Sequence, residues 1–163
     1  MRLVPLGLLI ALITLIADQA SKWWVLNVLA LPDARQIVLL PVLNFTMVWN
    51  RGVTFGLFNG FGEWGHIALA VVALGVVAAL GVWLWRARGW MVATALDAIA
   101  GGAVGNVNDR LRFGAVVDFI HAHAVTPWGD LSWYVFNVAD AAIVCGVLVL
   151  IYDSQWPGKP PAA

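Results

Sequence analysis

Charge is scarce in this chain. Of 163 residues only 11% are Asp, Glu, Lys or Arg, against roughly a quarter in a soluble domain. The nine basic residues cancel the nine acidic ones to a formal net charge of zero. A chain with no basic excess offers no electrostatic footprint for nucleic acid, and none for any other strongly charged partner. Cysteine is scarcer still. Cys145 stands alone, which excludes a disulfide within the chain, and in its apolar surroundings it reads as a packed small residue rather than a nucleophile. An internal repeat is also missing. So is a third ligand to complete a metal site with His121 and His123, whose H-A-H spacing therefore reads as a solvated loop and implies no metal or other cofactor.

What is there instead is hydrophobic: 62% of the residues, with a mean hydropathy of +0.87. Such a chain belongs in a membrane. Its runs predict an α-helical membrane protein of one integral domain, a four-transmembrane-helix bundle with helices over about 3–28, 67–85, 90–109 and 135–152. Each is near the roughly 20 residues a helix needs to cross the hydrocarbon. The first resembles a signal peptide behind Arg2, but apolar character resumes beyond Asp18 and Lys22 with no small-residue cleavage site, so a retained helix is expected. Residues 37–59 are rich in β-branched and aromatic side chains and broken by Pro41, Gly52 and Gly56. They read as short strands between the first and second helices. A sheet edge cannot face lipid, which puts them at the outer surface. The Pro-rich tail, 156–163, reads as disordered.

Four spans put both termini on one side. Arg2, Arg86, Arg88 and Lys159 fall on that side and Lys22, Arg35, Arg51, Arg110 and Arg112 on or near the other, so counting alone is a draw. The short basic loop of Arg86 and Arg88 decides for cytoplasmic termini, because Lys22, Arg110 and Arg112 have nearby acids. Trp23, Trp24, Trp64, Trp83, Trp85, Trp90, Trp133 and Trp156 gather near the span ends, as an aromatic belt does.

The informative stretch is 101–140, where Asp109, Asp118, Asp130 and Asp140 stand among apolar runs. An acid at membrane depth costs several kcal/mol and is a functional hypothesis by default. Asn106 precedes Asp109 by three residues and Arg110 by four, so the three share a helical face that Gly102 extends. Gly101 and Gly105 have the spacing that lets a neighbouring helix approach closely. Asp118 and Asp140 are far enough apart for the chain to turn at 126–130 and bring them together near the outer surface, with Asn137 on the face of Asp140. Two carboxylates that close do not both ionise readily. A pair sharing one proton can activate water and polarise a carbonyl. Asp18 and Lys22 are four apart on the first helix, and the spacing leaves open whether they only neutralise each other or also touch a substrate. Asp97 lies nine residues before Asn106, about half a turn out of phase, and is left outside the site.

Four stretches, DQASK (18–22), NRGVTFG (50–56), GGAVGNVNDRLRFGAVVDFI (101–120) and FNVADAAI (136–143), resemble in order the signature blocks of the lipoprotein signal peptidase family, also called signal peptidase II. The resemblance implies a bacterial inner-membrane aspartic endopeptidase. It would remove the signal peptide from diacylglyceryl-modified prolipoproteins, cleaving before the lipid-bearing cysteine and working as a monomer among membrane lipids. By matched position it implies Asp118 and Asp140 as the catalytic dyad and Asp18, Lys22, Asn50, Asn106, Arg110 and Asn137 as residues lining the site. Asp109 would support Arg110, with Gly102 and Gly105 in structural roles, and 37–59 would form a small extracytoplasmic β-cradle. Asn108, Arg51, Thr54 and Asp97 depart from the family pattern. Two other classes fit the residues alone: a proton-coupled transporter using Asp97 as fully as Asp140, and a non-catalytic scaffold built on the glycine cluster.

Overall fold

The computed structural model describes residues 4–52, 64–87, 89–127 and 129–155. In chain order they form α1 (Val4–Asn27), the one-turn α2 (Leu31–Ala34), β1 (Gln36–Leu40), β2 (Leu43–Asn50), α3 (Gly65–Arg86), α4 (Trp90–Phe113), β3 (Val116–Thr126), β4 (Gly129–Ser132) and α5 (Val138–Ser154). The expected tail at 156–163, the end of the expected cradle at 53–59, and Thr54 and Arg88 all lie outside the described residues.

Three helices, α1, α3 and α4, are long and apolar enough to cross a membrane. Trp23, Trp64, Trp83, Trp85 and Trp90 stand exposed at or near the ends of these helices. α5, with 17 residues, is about 25 Å long at 1.5 Å per residue. α4 is the axis of the molecule: α1, α3 and α5 all pack on it. Its glycines explain how. A Cβ on Gly101 would strike the backbone of Ala11 in α1, and one on Gly105 would strike the Asp18 carboxylate. One on Gly102 would stand 2.7 Å from the Ala139 carbonyl oxygen in α5. Adjacent glycines therefore seat two different helices, and α3, whose main packing among the long helices is on α4, is the outlier.

The strands form one four-stranded sheet in the order β1-β2-β3-β4, antiparallel throughout. Only half of it comes from the segment between α1 and α3. The other half, β3 and β4, follows α4, where the sequence suggested a loop around His121 and His123. The signal was present in V-V-D-F-I-H-A-H-A-V, with β-branched residues and a two-residue alternation, but the acid and the histidines made it look solvated. In the strand, both imidazoles are tied to side chains of neighbouring strands: His121 to Thr46 of β2 and Ser132 of β4, His123 to Asn44 of β2. Among the described residues no cluster of three metal-binding side chains forms.

β3 is buried on both faces at its centre. Val117 and Phe119 point into a small core with Val25 and Leu31, joined by Phe45 and Met47. Asp118, alternating with them, points the other way and is 1% exposed. Gly114, at φ 69°, ends α4 by donating its N–H to the Arg110 carbonyl and turns the chain into β3. A second correction concerns Cys145, which is exposed rather than packed. Gly146 takes the inward position on α5, against Ala95 and Ile99 of α4.

The glycine contacts make a paired test. Gly102→Ala, which drives a methyl into the α4–α5 contact, is expected to lower the unfolding free energy in micelles by about 1–3 kcal/mol. Gly75→Ala, with nothing within 4 Å of the new Cβ, should leave it unchanged or raise it slightly. Equal effects would show that the glycines do not set the helix spacing.

Candidate active site

Lys22 sits on α1 with 2% of its surface exposed, beside Asp18 at 0%. An ammonium withdrawn from water must find partners for its three hydrogens, and Lys22 Nζ finds three. They are Asp18 Oδ2 at 2.8 Å, Asp109 Oδ2 at 2.7 Å and Asn106 Oδ1 at 3.0 Å. Both acids are themselves shared. Asp18 Oδ1 accepts the backbone N–H of Ala139 in α5 at 3.0 Å, and Asp109 Oδ2 accepts that of Val117 in β3 at 3.1 Å. The ion cluster thus ties α1, α4, α5 and β3 together.

The expected support of Arg110 by Asp109 takes the form of charge attraction rather than a direct bond. Asp109 is engaged by Lys22, Gln19 and Val117, while Arg110 donates from Nη1 to the Asn106 carbonyl at 3.3 Å and keeps an enclosed Nε with no partner among the described residues. Arg110 sits close enough to Asp140, Asp118 and Asp109 to interact with all three charges.

Gln19 went unnoticed in the sequence. Its Nε2 donates to Asp18 Oδ2, Asp109 Oδ1 and the Gly105 carbonyl, and its Oε1 accepts from the side-chain amide of Asn108. The polar Asn108 therefore has a partner waiting for it. Position 19 falls between Asp18 and Lys22 with no ionisable group to attract notice, and only the three-dimensional neighbourhood reveals its use.

Three asparagines carry the arrangement from the ion cluster to two further acids, and each has its amide orientation dictated. Asn106 Oδ1 receives Lys22, so its Nδ2 faces Asp140 Oδ1, at 2.8 Å. Asn137 Oδ1 caps the Asp140 backbone N–H at 2.9 Å, so its Nδ2 faces Asn106 Oδ1 at 3.1 Å and Asp118 Oδ1 at 2.7 Å. Asn50 Oδ1 accepts the Gly52 N–H at 2.9 Å, so its Nδ2 faces Asp118 Oδ2, also at 2.9 Å.

Local structure delivers these side chains. Asn50 lies two residues beyond Val48, which pairs with Asp118 across the β2–β3 ladder, so Asn50 and Asp118 share a face. Phe136 exchanges backbone bonds with Ile120, which pins the start of α5 beside β3. Asn137 and Asp140 form a capping box on α5, the Asp140 carboxylate accepting the Asn137 N–H at 3.2 Å. Asn137 thus touches both Asp118 and Asp140 and is itself wholly buried, at 0%.

Asp118 is the acid whose protonation this setting moves most plainly. Burial pushes its carboxyl up from 3.8 to about 6. The charge of Asp140 adds to the rise, while hydrogen bonds from Asn50 and Asn137 and the charge of Lys22 oppose it. Asp140 is less buried and lies near enough for its charge to act on Asp118. Asp97 joins none of this.

The profile of a known family, Signal peptidase (SPase) II, matches residues 10–156. Among curated proteins, the lipoprotein signal peptidase of Methylobacterium sp. (strain 4-46) is 47% identical over 156 residues, covering 96% of this chain and 92% of its own. That of Methylorubrum extorquens (strain PA1) is 50% identical over 151 residues, covering 93% and 86%. Among solved structures, a bacterial membrane enzyme superposes with a TM-score of 0.78 at 25% identity, over 95% of this chain and 96% of that one.

Removing one partner from a buried ion cluster leaves the others uncompensated. Lys22→Met is expected to lower the unfolding free energy of the protein in bilayer-mimetic discs by about 3–5 kcal/mol. A loss no larger than that of an exposed lysine variant would show that the cluster does not hold the helices.

Proposed function

The chain belongs to the signal peptidase II family, and on that premise we propose that it is an aspartic endopeptidase in which Asp118 and Asp140 activate water between them. It cleaves diacylglyceryl-modified prolipoproteins on the amino side of the lipid-bearing cysteine. The observation that carries the proposal is Asn137, whose single side chain and backbone bond both carboxylates, at 2.7 Å and 3.2 Å.

Asp118, the deeper acid and protonated up to about pH 6, polarises the scissile carbonyl by giving its proton to the oxygen. Asp140 takes a proton from water as the water oxygen attacks the carbonyl carbon. Collapse of the resulting diol breaks the C–N bond, with the proton on Asp140 passing to the leaving amine and the diol proton returning to the dyad. Arg110 lies near both acids and holds charge that develops around the carbonyl. Asn50, Asn106 and Asn137 orient the acids. Asp18, Lys22 and Asp109 act from behind, since their burial and full set of partners leave no surface for a peptide.

The family also supports a bacterial inner-membrane protein. All four long helices, α5 included, cross the bilayer, with both termini cytoplasmic. The sheet is the cradle at the outer face, where β2 and β3 present Asn50 and Asp118. The substrate's acyl chains stay in the bilayer beside the helices, which fixes its scissile bond at the interface. The enzyme acts as a monomer and needs no cofactor. The transporter reading has less behind it, because among the described residues Asp97 shares no hydrogen-bond partner with the other acids.

Cleavage of a diacylglyceryl-modified precursor by purified protein is the test. Asp118→Asn and Asp140→Asn are each expected to abolish turnover, and full activity in either would remove the dyad. In the wild type, kcat/KM is expected to fall as pH rises through about 6, where Asp118 loses its proton. The Asn50 bond stabilises the ionised carboxylate, so Asn50→Ala raises the Asp118 pKa and moves this limb to higher pH. Movement to lower pH would contradict the assignment.

A further inference from the structure

On the opposite side of α4 from the acids just described lies a cleft of about 360 Å³ between α1, α3 and α4, with walls that include Leu12, Leu15, Leu80, Leu84 and Ala100. One acidic side chain lines it. Asp97 is 4% exposed, and its Oδ2 is enclosed without a hydrogen-bond partner among the described residues. It lies seven residues into α4 from Trp90, about 10 Å along the axis, where a chain spanning the bilayer is surrounded by hydrocarbon. A buried polar atom left unpaired is costly, and nothing in the peptidase site uses this one.

We propose that this cleft binds a hydroxyl-bearing lipid, a long-chain aliphatic alcohol, with its alkyl chain along the apolar wall and its hydroxyl on the Asp97 carboxyl. Volume and chemistry both favour that occupant. At ~30 Å³ for each water-sized group, the cleft holds roughly a dozen such groups, enough for one alkyl chain. At about 360 Å³ it is smaller than a single turn of a further helix, which at about 10 Å across and 5.4 Å per turn fills roughly 400 Å³. A hydroxyl donates one hydrogen and also accepts, so it satisfies the carboxyl in either protonation state. An ammonium brings three hydrogens, and a single carboxyl among aliphatic walls leaves some of them without acceptors.

The experiment uses the full-length protein in phosphatidylglycerol vesicles. Two photoreactive probes are compared, a long-chain primary alcohol carrying a diazirine beside the hydroxyl and the matching alkane, which neither donates nor accepts. Adducts are mapped on α1, α3 and α4. The alcohol is expected to label the segments around Leu80 and Ala100 about fivefold more than the alkane, the ratio given by one ordinary hydrogen bond. Asp97→Leu should abolish that preference. Asp97→Asn, which keeps an acceptor oxygen, should retain it, and Ala100→Phe, which fills the cleft, should remove labelling there by both probes. Equal labelling by the two probes in the wild type would overturn the proposal. So would a preference that survives Asp97→Leu, or no labelling of this face by either probe, which would mean that another occupant covers it.

Discussion

An ammonium group buried among apolar helices tolerates few arrangements, and Lys22 imposes its own on the rest of the molecule. Its three hydrogens take one acceptor from α1 and two from α4. Because Asp18 and Asp109 are each also bonded to a backbone N–H, in α5 and in β3, neutralising the charge fixes the relative positions of four elements. The glycines of α4 make this possible. Side chains at 101, 102 or 105 would hold α1 and α5 too far off for the cluster to close. Close packing and charge pairing are therefore one constraint here, since either fails without the other.

From that cluster a directional order passes outward. A carboxamide has one end that accepts and one that donates, and an asparagine whose oxygen is already claimed has no choice about where its N–H groups point. Lys22 claims the oxygen of Asn106, the first turn of α5 claims that of Asn137, and the loop at Gly52 claims that of Asn50. All three therefore present donors to Asp118 or Asp140. Donors stabilise carboxylates, while burial opposes ionisation. For Asp118 burial is the larger influence, which keeps it protonated to about pH 6. Two acids whose charges interact, one of them retaining its proton, meet the condition that dyad chemistry requires.

Much of this was legible in the chain itself. The long apolar runs mark α1, α3 and α4, the four-residue spacing of Asp18 and Lys22 predicts their pairing, and the blocks around Asn50, Asn106, Asp118 and Asp140 carry the family likeness. Contacts between distant segments were not legible. β3 looked like a loop because its partners β2 and β4 are known only once the chain folds, and an isolated V-V-D-F-I-H-A-H does not declare what it pairs with. Asp109 was matched with its neighbour Arg110, although the cation that holds it comes from α1. Gln19 carries no charge and follows no periodic pattern, so only its position between two buried acids reveals it. Helical phase did place Asp97 off the polar face, but could not show the cleft that it enters.

The orientation of the asparagine amides is open to direct observation by neutron diffraction from crystals of the protein exchanged into D2O, kept below the pH of about 6 at which Asp118 gives up its proton. The expected nuclear density shows three deuterons on Lys22, the deuterated amides of Asn50 and Asn137 directed at Asp118, that of Asn106 directed at Asp140, and a single deuteron held by the two carboxyl groups together. An Asn137 carbonyl turned toward Asp118, or an aspartate pair carrying no deuteron at all, would contradict it.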